Sequence, residues 1–197
     1  MEARGDRIAA LLVAFRGVLV DLDAAEQALM YEVARRHGRA PLDRGRALAA
    51  RLRELEAELG GVAPAFDVLA AERGFRWAPR GEEAVTKLAA SCRTLDVVPR
   101  LLAGVEIPVV AVAAAERELV ERALRPLDGA FADLVCARGP RGAARAALAR
   151  TGAPAGRVLY VAADRAELCA GAGLGMHVAS AIEWAGLPLG RPLAAAR

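Results

Sequence analysis

Residues 8–15 read IAALLVAF and are followed by Arg16-Gly17, and this stretch is the strongest indication of the fold. A continuous apolar run of this length, closed by a charged residue and a glycine, is typical of a strand that is buried on both faces of a sheet. Further runs of this kind follow along the chain, at residues 107–113, 131–136, 158–162 and 176–179. The sequence therefore predicts a sheet made of buried strands.

Helical patterns separate these runs, at residues 116–124, 142–151 and 165–172. The last two of them stop before Gly152 and Gly173, and glycine is the residue at which helices most often end. Strands that alternate with helices of about ten residues indicate βαβ units. The predicted fold class is α/β, with a Rossmann-like, doubly wound and mostly parallel sheet.

The stretch between the first two strands is different, because it contains helical patterns and no convincing strand. Leu48, Leu52, Leu55 and Leu59 recur at spacings of four, three and four, which places them on one face of an amphipathic helix. Gly60-Gly61 ends that helix. We therefore predict an α/β core formed by residues 1–22 and 92–197, with residues 23–91 inserted after the first strand as a helical cap.

Composition excludes several classes of protein. The chain has 197 residues, 55% of them hydrophobic and 26% charged, so it can build a sizeable core. Its formal charge is +3, but 27 basic residues are interleaved with 24 acidic ones and only 4% of the residues are aromatic. Nucleic-acid binding is therefore not expected. No apolar stretch is long enough to cross a membrane, and no membrane partner is expected.

The polar residues that commonly carry chemistry are scarce. The sequence has no asparagine, two histidines and three cysteines, and the cysteines are far apart in the chain. This pattern indicates neither a disulfide framework nor a zinc site, and it predicts a soluble, cytoplasmic protein with reduced thiols. No metal and no cofactor are expected.

Ligands of doubly wound sheets bind at the carboxyl ends of the strands. In this sequence those ends carry a small set of residues, which are the candidates for a site: Ala14, Arg16 and Asp21 after the first strand, Ala113 after the second, Arg138 before a helix, and Asp164 and Glu167 after the strand at 158–162. We predict catalytic roles for Arg16, Asp164 and Glu167, and ligand binding for the other four.

The segment 15–21, FRGVLVD, resembles the first motif of the haloacid dehalogenase superfamily, in which an aspartate is followed by x-x-Gly-Thr-Leu-x-Asp. The L-2-haloacid dehalogenase branch is the most similar, since residues 95–102 resemble the segment before its second strand and residues 185–189 resemble a stretch after its last core strand. The resemblance covers nearly the whole chain. It implies the same α/β core, a helical cap in the same place, and a homodimer.

The same resemblance implies that the family's reaction is absent. The nucleophilic aspartate corresponds to Ala14, and the second aspartate that phosphatases of this superfamily use with magnesium corresponds to Arg16. The other motif positions are also changed: threonine to Val18, serine-asparagine to Ala113-Ala114, lysine to Arg138, and Ser-x-Asn-x-x-Asp to Ala162, Asp164 and Glu167. We expect no dehalogenation and no phosphate hydrolysis.

The residues leave several interpretations open. The alanines suit simple packing, Asp21 suits the start of a helix, and Arg16 and Arg138 suit either ion pairs with Asp164 and Glu167 or the binding of a carboxylate. One hypothesis is a non-catalytic protein that binds a small organic molecule in a cleft between cap and core, or that binds a protein partner. The other is a recruited enzyme, of cyclase, lyase or isomerase type, in a specialised biosynthetic pathway.

Overall fold

The structure is a computed structural model, and it describes residues 8–37, 42–76, 78–96 and 98–186. Residues 187–189 of the resemblance noted above lie outside these ranges. The chain divides into two compact units. The core unit consists of Met1–Val20, Thr94–Ala114 and Pro126–Arg197, and the helical unit consists of Asp21–Arg93 and Ala115–Arg125.

The core unit is built on a parallel sheet. Its strands are β1 (Ala10–Ala14), β2 (Val109–Ala113), β3 (Asp133–Cys136), β4 (Val158–Ala162) and β5 (His177–Ser180). They lie in the order β3-β2-β1-β4-β5, and each neighbouring pair is parallel. All five residues of β1 and of β2 are buried, which explains why these strands read as continuous apolar runs. The predicted α/β class is confirmed.

The helices follow the chain in the order α1 (Leu22–Arg36), α2 (Leu42–Leu59), α3 (Val62–Arg73), α4 (Gly81–Ser91), α5 (Val98–Leu102), α6 (Arg117–Ala123), α7 (Pro140–Thr151), α8 (Arg165–Ala172) and α9 (Ala181–Gly186). Local sequence explains several of their ends. Helix α7 has proline at its first position, where the missing N–H costs nothing, and its C-cap is Gly152, whose φ of 63° is left-handed.

The helical unit contains α1–α4, and its leucine face is largely as the spacing predicted. Leu48, Leu52 and Leu55 are buried, whereas Leu59 is 45% exposed because α2 ends at that residue. Within the described ranges, no helix is long and apolar enough to cross a membrane.

Helix α6 belongs to the helical unit, although the predicted boundaries gave residues 115–125 to the core. Glu116, directly before α6, accepts a hydrogen bond from the backbone N–H of Ala63 in the first turn of α3, over 3.3 Å. Farther along α6, Arg122 donates to the hydroxyl of Thr86 on α4. These contacts join residues far apart in the chain, which is why sequence patterns did not reveal them.

Candidate functional site

The candidate site lies at the carboxyl end of β1, where the winding of the sheet changes direction. From β1 the chain later adds β2 and β3 on one side and β4 and β5 on the other. A crevice at such a switch point is the usual place for a ligand in this class of fold. Ala14 ends β1 there and is fully buried. The loops after β1 and β4 are therefore the relevant ones.

These two loops touch each other at Gly17. The turn after β1 is held by hydrogen bonds from the N–H of Gly17 to the carbonyl of Val20, over 2.9 Å, and from the N–H of Val20 to the carbonyl of Phe15, over 3.1 Å. Gly17 has a φ of 73°, and a Cβ atom there would lie 2.8 Å from the Cβ of Ala163. Both the backbone conformation and the space require glycine.

Asp164 is the N-cap of α8. Its Oδ1 accepts hydrogen bonds from the backbone N–H groups of Ala166, over 2.6 Å, and Glu167, over 3.4 Å. The carboxylate of Glu167 in turn accepts from the backbone N–H of Asp164. The two side chains thus form a reciprocal capping box, which satisfies N–H groups that the helix itself leaves without partners. Both predicted catalytic carboxylates therefore have a structural role.

Glu167 differs from an ordinary capping residue in its burial. The residue is only 7% exposed, and within the described part of the chain its Oε2 has no hydrogen-bond partner. Burial, followed by the negative charge of Asp164, raises the pKa of Glu167 to about 7. The positive charge of Arg16 and the hydrogen bond from Asp164 oppose this rise. The carboxyl group is consequently able to gain or lose a proton near neutral pH.

Tyr160 is the residue that sequence reasoning missed. It lies on β4, it is fully buried, and among the described residues its hydroxyl has no hydrogen-bond partner. Burial, followed by the negative charges of Glu167 and Asp164, raises the pKa of the phenol. The buried hydroxyl of Tyr160 and the buried carboxyl group of Glu167 are thus close enough to interact electrostatically. The available signal was a tyrosine in an otherwise aliphatic strand.

Gly171 lies four residues after Glu167 on α8, and it makes room for the ring of Tyr160. A Cβ atom at this glycine would lie 2.7 Å from Cδ1 of Tyr160 and 3.0 Å from Cγ1 of Val178. Gly171 is therefore explained by close packing of α8 on the sheet.

The remaining predicted residues are placed as follows. Arg16 is half-buried and acts on Glu167 through its charge. Ala113 is buried at the end of β2, and its carbonyl accepts from the N–H of Ala137 over 3.1 Å. Arg138 is exposed after β3, and β2 separates that strand from β1. Asp21 lies in the helical unit and accepts from the N–H of Ala24 over 3.0 Å as the N-cap of α1.

The residues at the end of β1 do not fit a magnesium ion. Mg²⁺ is bound through carboxylate and water oxygens, whereas Ala14 offers a methyl group and Arg16 a positive charge. The Oδ1 of Asp164 already caps α8. In the ranges that the structure describes, no three or more His, Cys, Asp or Glu residues lie together in a group that could hold a metal.

The fold is that of haloacid dehalogenases. An L-2-haloacid dehalogenase from Xanthobacter autotrophicus, with chloropropionic acid covalently bound, superimposes with a TM-score of 0.67 at 15% identity, over 88% of this chain and 77% of that one. CbbY from Rhodobacter sphaeroides, in complex with phosphate, has a TM-score of 0.63 at 16% identity, over 88% and 85% of the two chains. A Lactobacillus plantarum protein with a proposed phosphoglycolate phosphatase activity has a TM-score of 0.63 at 18% identity, over 92% and 89%.

Comparison of sequences gave no such relatives. No family profile matches the chain, and no curated protein matches it. The similarity is therefore one of fold.

Proposed function

We propose that this protein uses the haloacid dehalogenase fold without the family's hydrolytic chemistry, and that it binds a small organic molecule at the carboxyl edge of its sheet. The observation that carries the proposal is the end of β1. There, a fully buried Ala14 is followed by the cation Arg16, at the positions that correspond by resemblance to the two aspartates of the family.

The chemistry of these residues supports the proposal. Displacement of a halide through an ester intermediate requires a carboxylate that attacks carbon, and the methyl group of Ala14 cannot do so. Phosphatases of this fold need a magnesium ion, and a guanidinium group beside the metal position would repel it. The same guanidinium is well suited to hold a carboxylate or another small anion through two parallel hydrogen bonds.

The first experiment measures both family reactions with the purified protein. Halide release from 2-chloropropionate and hydrolysis of p-nitrophenyl phosphate with magnesium are each expected to stay at the level of a blank. Turnover of either substrate that Arg16→Gln or Arg138→Gln abolishes would overturn the proposal.

The second experiment measures binding. A panel of small carboxylates is screened by thermal shift, and hits are expected to lose their effect in Arg16→Gln. The matched control is Arg157→Gln, which removes a half-buried arginine of the core unit from the short helical turn before β4. If every hit acts equally on wild type and on Arg16→Gln, Arg16 is not part of the binding site.

A second candidate function is a recruited enzyme of cyclase, lyase or isomerase type that uses Arg16, Asp164 and Glu167. The observation that favours it is Glu167, a buried carboxyl group with a pKa of about 7 and one oxygen without a partner among the described residues. Such a group is suited to act as a general acid or base, and perturbed pKa values concentrate at active sites.

Metabolite profiles distinguish the two candidates. Host strains that carry wild type or Glu167→Gln are compared, with Glu183→Gln as a control because Glu183 is an exposed capping residue of the same unit. Loss of a metabolite only in Glu167→Gln supports an enzyme. Identical profiles support the binding protein.

The resemblance also suggests a homodimer, and a protein partner remains the non-catalytic alternative. Multi-angle light scattering of the purified protein distinguishes a dimer from a monomer. The three cysteines are thiols and not disulfides, which fits the cytoplasm as the proposed location.

A further inference from the structure

The helical unit contains a pocket of its own. The pocket lies where the end of α1, the start of α2 and the end of α3 meet, and its volume is about 340 Å³. Its lining consists of Ala34, Arg44, Ala47, Leu48, Arg73 and Phe75. This volume is within the range of sites that bind small molecules. None of these residues belongs to the site at the end of β1.

The floor of the pocket is apolar and well supported. Ala34 and Leu48 are almost fully buried, and Ala47 adds a methyl group to the lining. The ring of Phe75 packs against the ring of His37, with centroids 4.7 Å apart. His37 is in turn positioned by its Nδ1, which donates to the carbonyl of Val33 over 2.9 Å. An apolar group of a ligand would therefore meet a preformed surface.

In the described part of the chain, the charged residues that line the pocket are Arg44 and Arg73. Both residues are exposed, and neither forms an ion pair with any residue that the structure describes. The nearby acidic residues whose side chains the structure describes have other arginines as their hydrogen-bond or ion-pair partners. Glu72 precedes Arg73 in the chain, but it accepts two hydrogen bonds from Arg51, over 2.9 and 3.3 Å.

The acidic residues of α1 follow the same pattern. Arg53 on α2 lies 3.5 Å from both Asp23 and Glu26 of α1, and Arg36 pairs with Glu32. Among the residues that the structure describes, the lining of the pocket thus combines two arginines with apolar side chains and contains no acidic residue. A charge at the C-terminal end of α3 is favourable in itself, which would explain Arg73 but not Arg44, since Arg44 lies near the start of α2.

We propose that this pocket binds a small apolar monocarboxylate. The carboxylate would be held by Arg44 and Arg73, through the charge-assisted hydrogen bonds that a guanidinium group forms with two oxygens at once. The hydrocarbon part would lie on Ala34, Ala47 and Leu48. No covalent step is involved. Every residue concerned lies in the helical unit, so this pocket can be tested independently of the ligand site that we propose in the core unit.

Isothermal titration with decanoate tests the proposal. Decanoate is expected to bind one site per chain, whereas decanol, which has the same tail without the charge, should bind much more weakly. Arg44→Gln and Arg73→Gln are each expected to weaken decanoate binding by about tenfold, the usual effect of losing a charge-assisted hydrogen bond. Ala47→Leu, which fills the pocket at an exposed position, should abolish binding.

The matched control is Arg46→Gln. Arg46 is exposed on α2, two residues from Arg44, and does not line the pocket. This variant removes the same charge and should bind decanoate as wild type does. Circular dichroism confirms that each variant is folded before titration.

Several results would overturn the proposal. One is that decanoate does not bind at millimolar concentration. The others are that decanol binds as tightly as decanoate, or that Arg44→Gln and Arg73→Gln leave the affinity for decanoate unchanged. An equal loss in Arg46→Gln would show attraction by net charge alone and would also overturn it.

Discussion

Glu167 and Glu183 occupy the same position in two capping boxes of the core unit, yet their carboxyl groups have opposite pKa shifts. Glu183 is exposed and accepts a hydrogen bond from the N–H of Ser180 over 2.7 Å, and its pKa is lowered by that bond and by the hydroxyl of Ser180. Glu167 is buried, and burial raises its pKa to about 7. The surroundings of α8, rather than the capping motif, set the protonation of Glu167.

A consequence for stability follows from this pKa. A raised pKa means that the folded protein holds the proton more tightly than the unfolded chain, so the stabilisation is present below about pH 4.5 and is lost as pH rises through about 7. In Glu167→Gln an uncharged amide replaces the neutral carboxyl group and can still accept the hydrogen bond from Asp164. Relative to wild type, it should gain stability between pH 5 and 8, by up to about 3 kcal/mol.

Urea unfolding at a series of pH values measures this difference. Glu183→Gln is the matched control. The lowered pKa of Glu183 stabilises the folded protein at pH values above the ordinary pKa of glutamate, so this variant should be less stable than wild type there. A difference between Glu167→Gln and wild type that does not change with pH would mean that the carboxyl group is already ionised throughout this range.

At the scale of secondary structure, α8 is fixed to the sheet through Gly171. Its Cα faces the ring of Tyr160 so closely that even a methyl group does not fit without a shift of the ring or of β4. We expect Gly171→Ala to destabilise the protein by about 1–3 kcal/mol, the usual cost of overpacking a core.

Gly142→Ala is the control for that variant. Gly142 lies in α7 with open space around its Cα, so alanine there should stabilise the helix by about 0.5–1 kcal/mol. Thermal unfolding of both variants gives the comparison. If Gly171→Ala were also stabilising, the packing of α8 on Tyr160 would be looser than these distances indicate.

Helix α3 depends on a residue outside the helical insertion that the sequence predicted. Its N-cap is Gly61, which has no side chain to cap it, and Glu116 provides the carboxylate instead. A Cβ atom on Gly61 would lie 2.0 Å from Oε1 of Glu116, so glycine is required for this approach. Burial raises the pKa of Glu116, with the hydrogen bonds from Ala63 and Val62 opposing that rise.

We expect Gly61→Ala and Glu116→Ala each to destabilise the helical unit by about 1–2 kcal/mol, the usual cost of losing a helix cap. Glu118→Ala is the control, since Glu118 lies on α6 and forms an exposed ion pair with Arg122, which is worth little. Urea unfolding followed by circular dichroism measures all three. A loss in Glu118→Ala as large as that in Glu116→Ala would argue against a specific capping role.

For the molecule as a whole, we predict that no single substitution restores the family's hydrolytic reaction. We expect Ala14→Asp to release no halide from 2-chloropropionate, because the supporting positions hold Ala113, Ala114 and Arg138 in place of serine, asparagine and lysine. A carboxylate at this fully buried position should also lower stability by about 1–3 kcal/mol. Ion chromatography detects chloride, and measurable release by a folded variant would refute this prediction.

Much of the fold could be predicted because the information is local. Buried parallel strands read as apolar runs, and glycines mark helix ends, so the sheet and its helices follow from the sequence. The site could be predicted only in part. Asp164 and Glu167 form a recognisable Asp-x-x-Glu pattern, but the burial of Glu167 depends on how α8 packs against Tyr160 of β4. Such packing between distant residues leaves no periodic signal in the chain.

The cap that Glu116 places on α3 also bears on how this protein can be divided. Residues 21–93 look like a cassette that could be excised, expressed alone or exchanged between proteins of this fold. The carboxylate that completes α3 lies 53 residues farther along the chain than Ala63, which donates to it. A transplanted cassette would leave that bond behind, so an exchange of this unit must also carry residues 115–125.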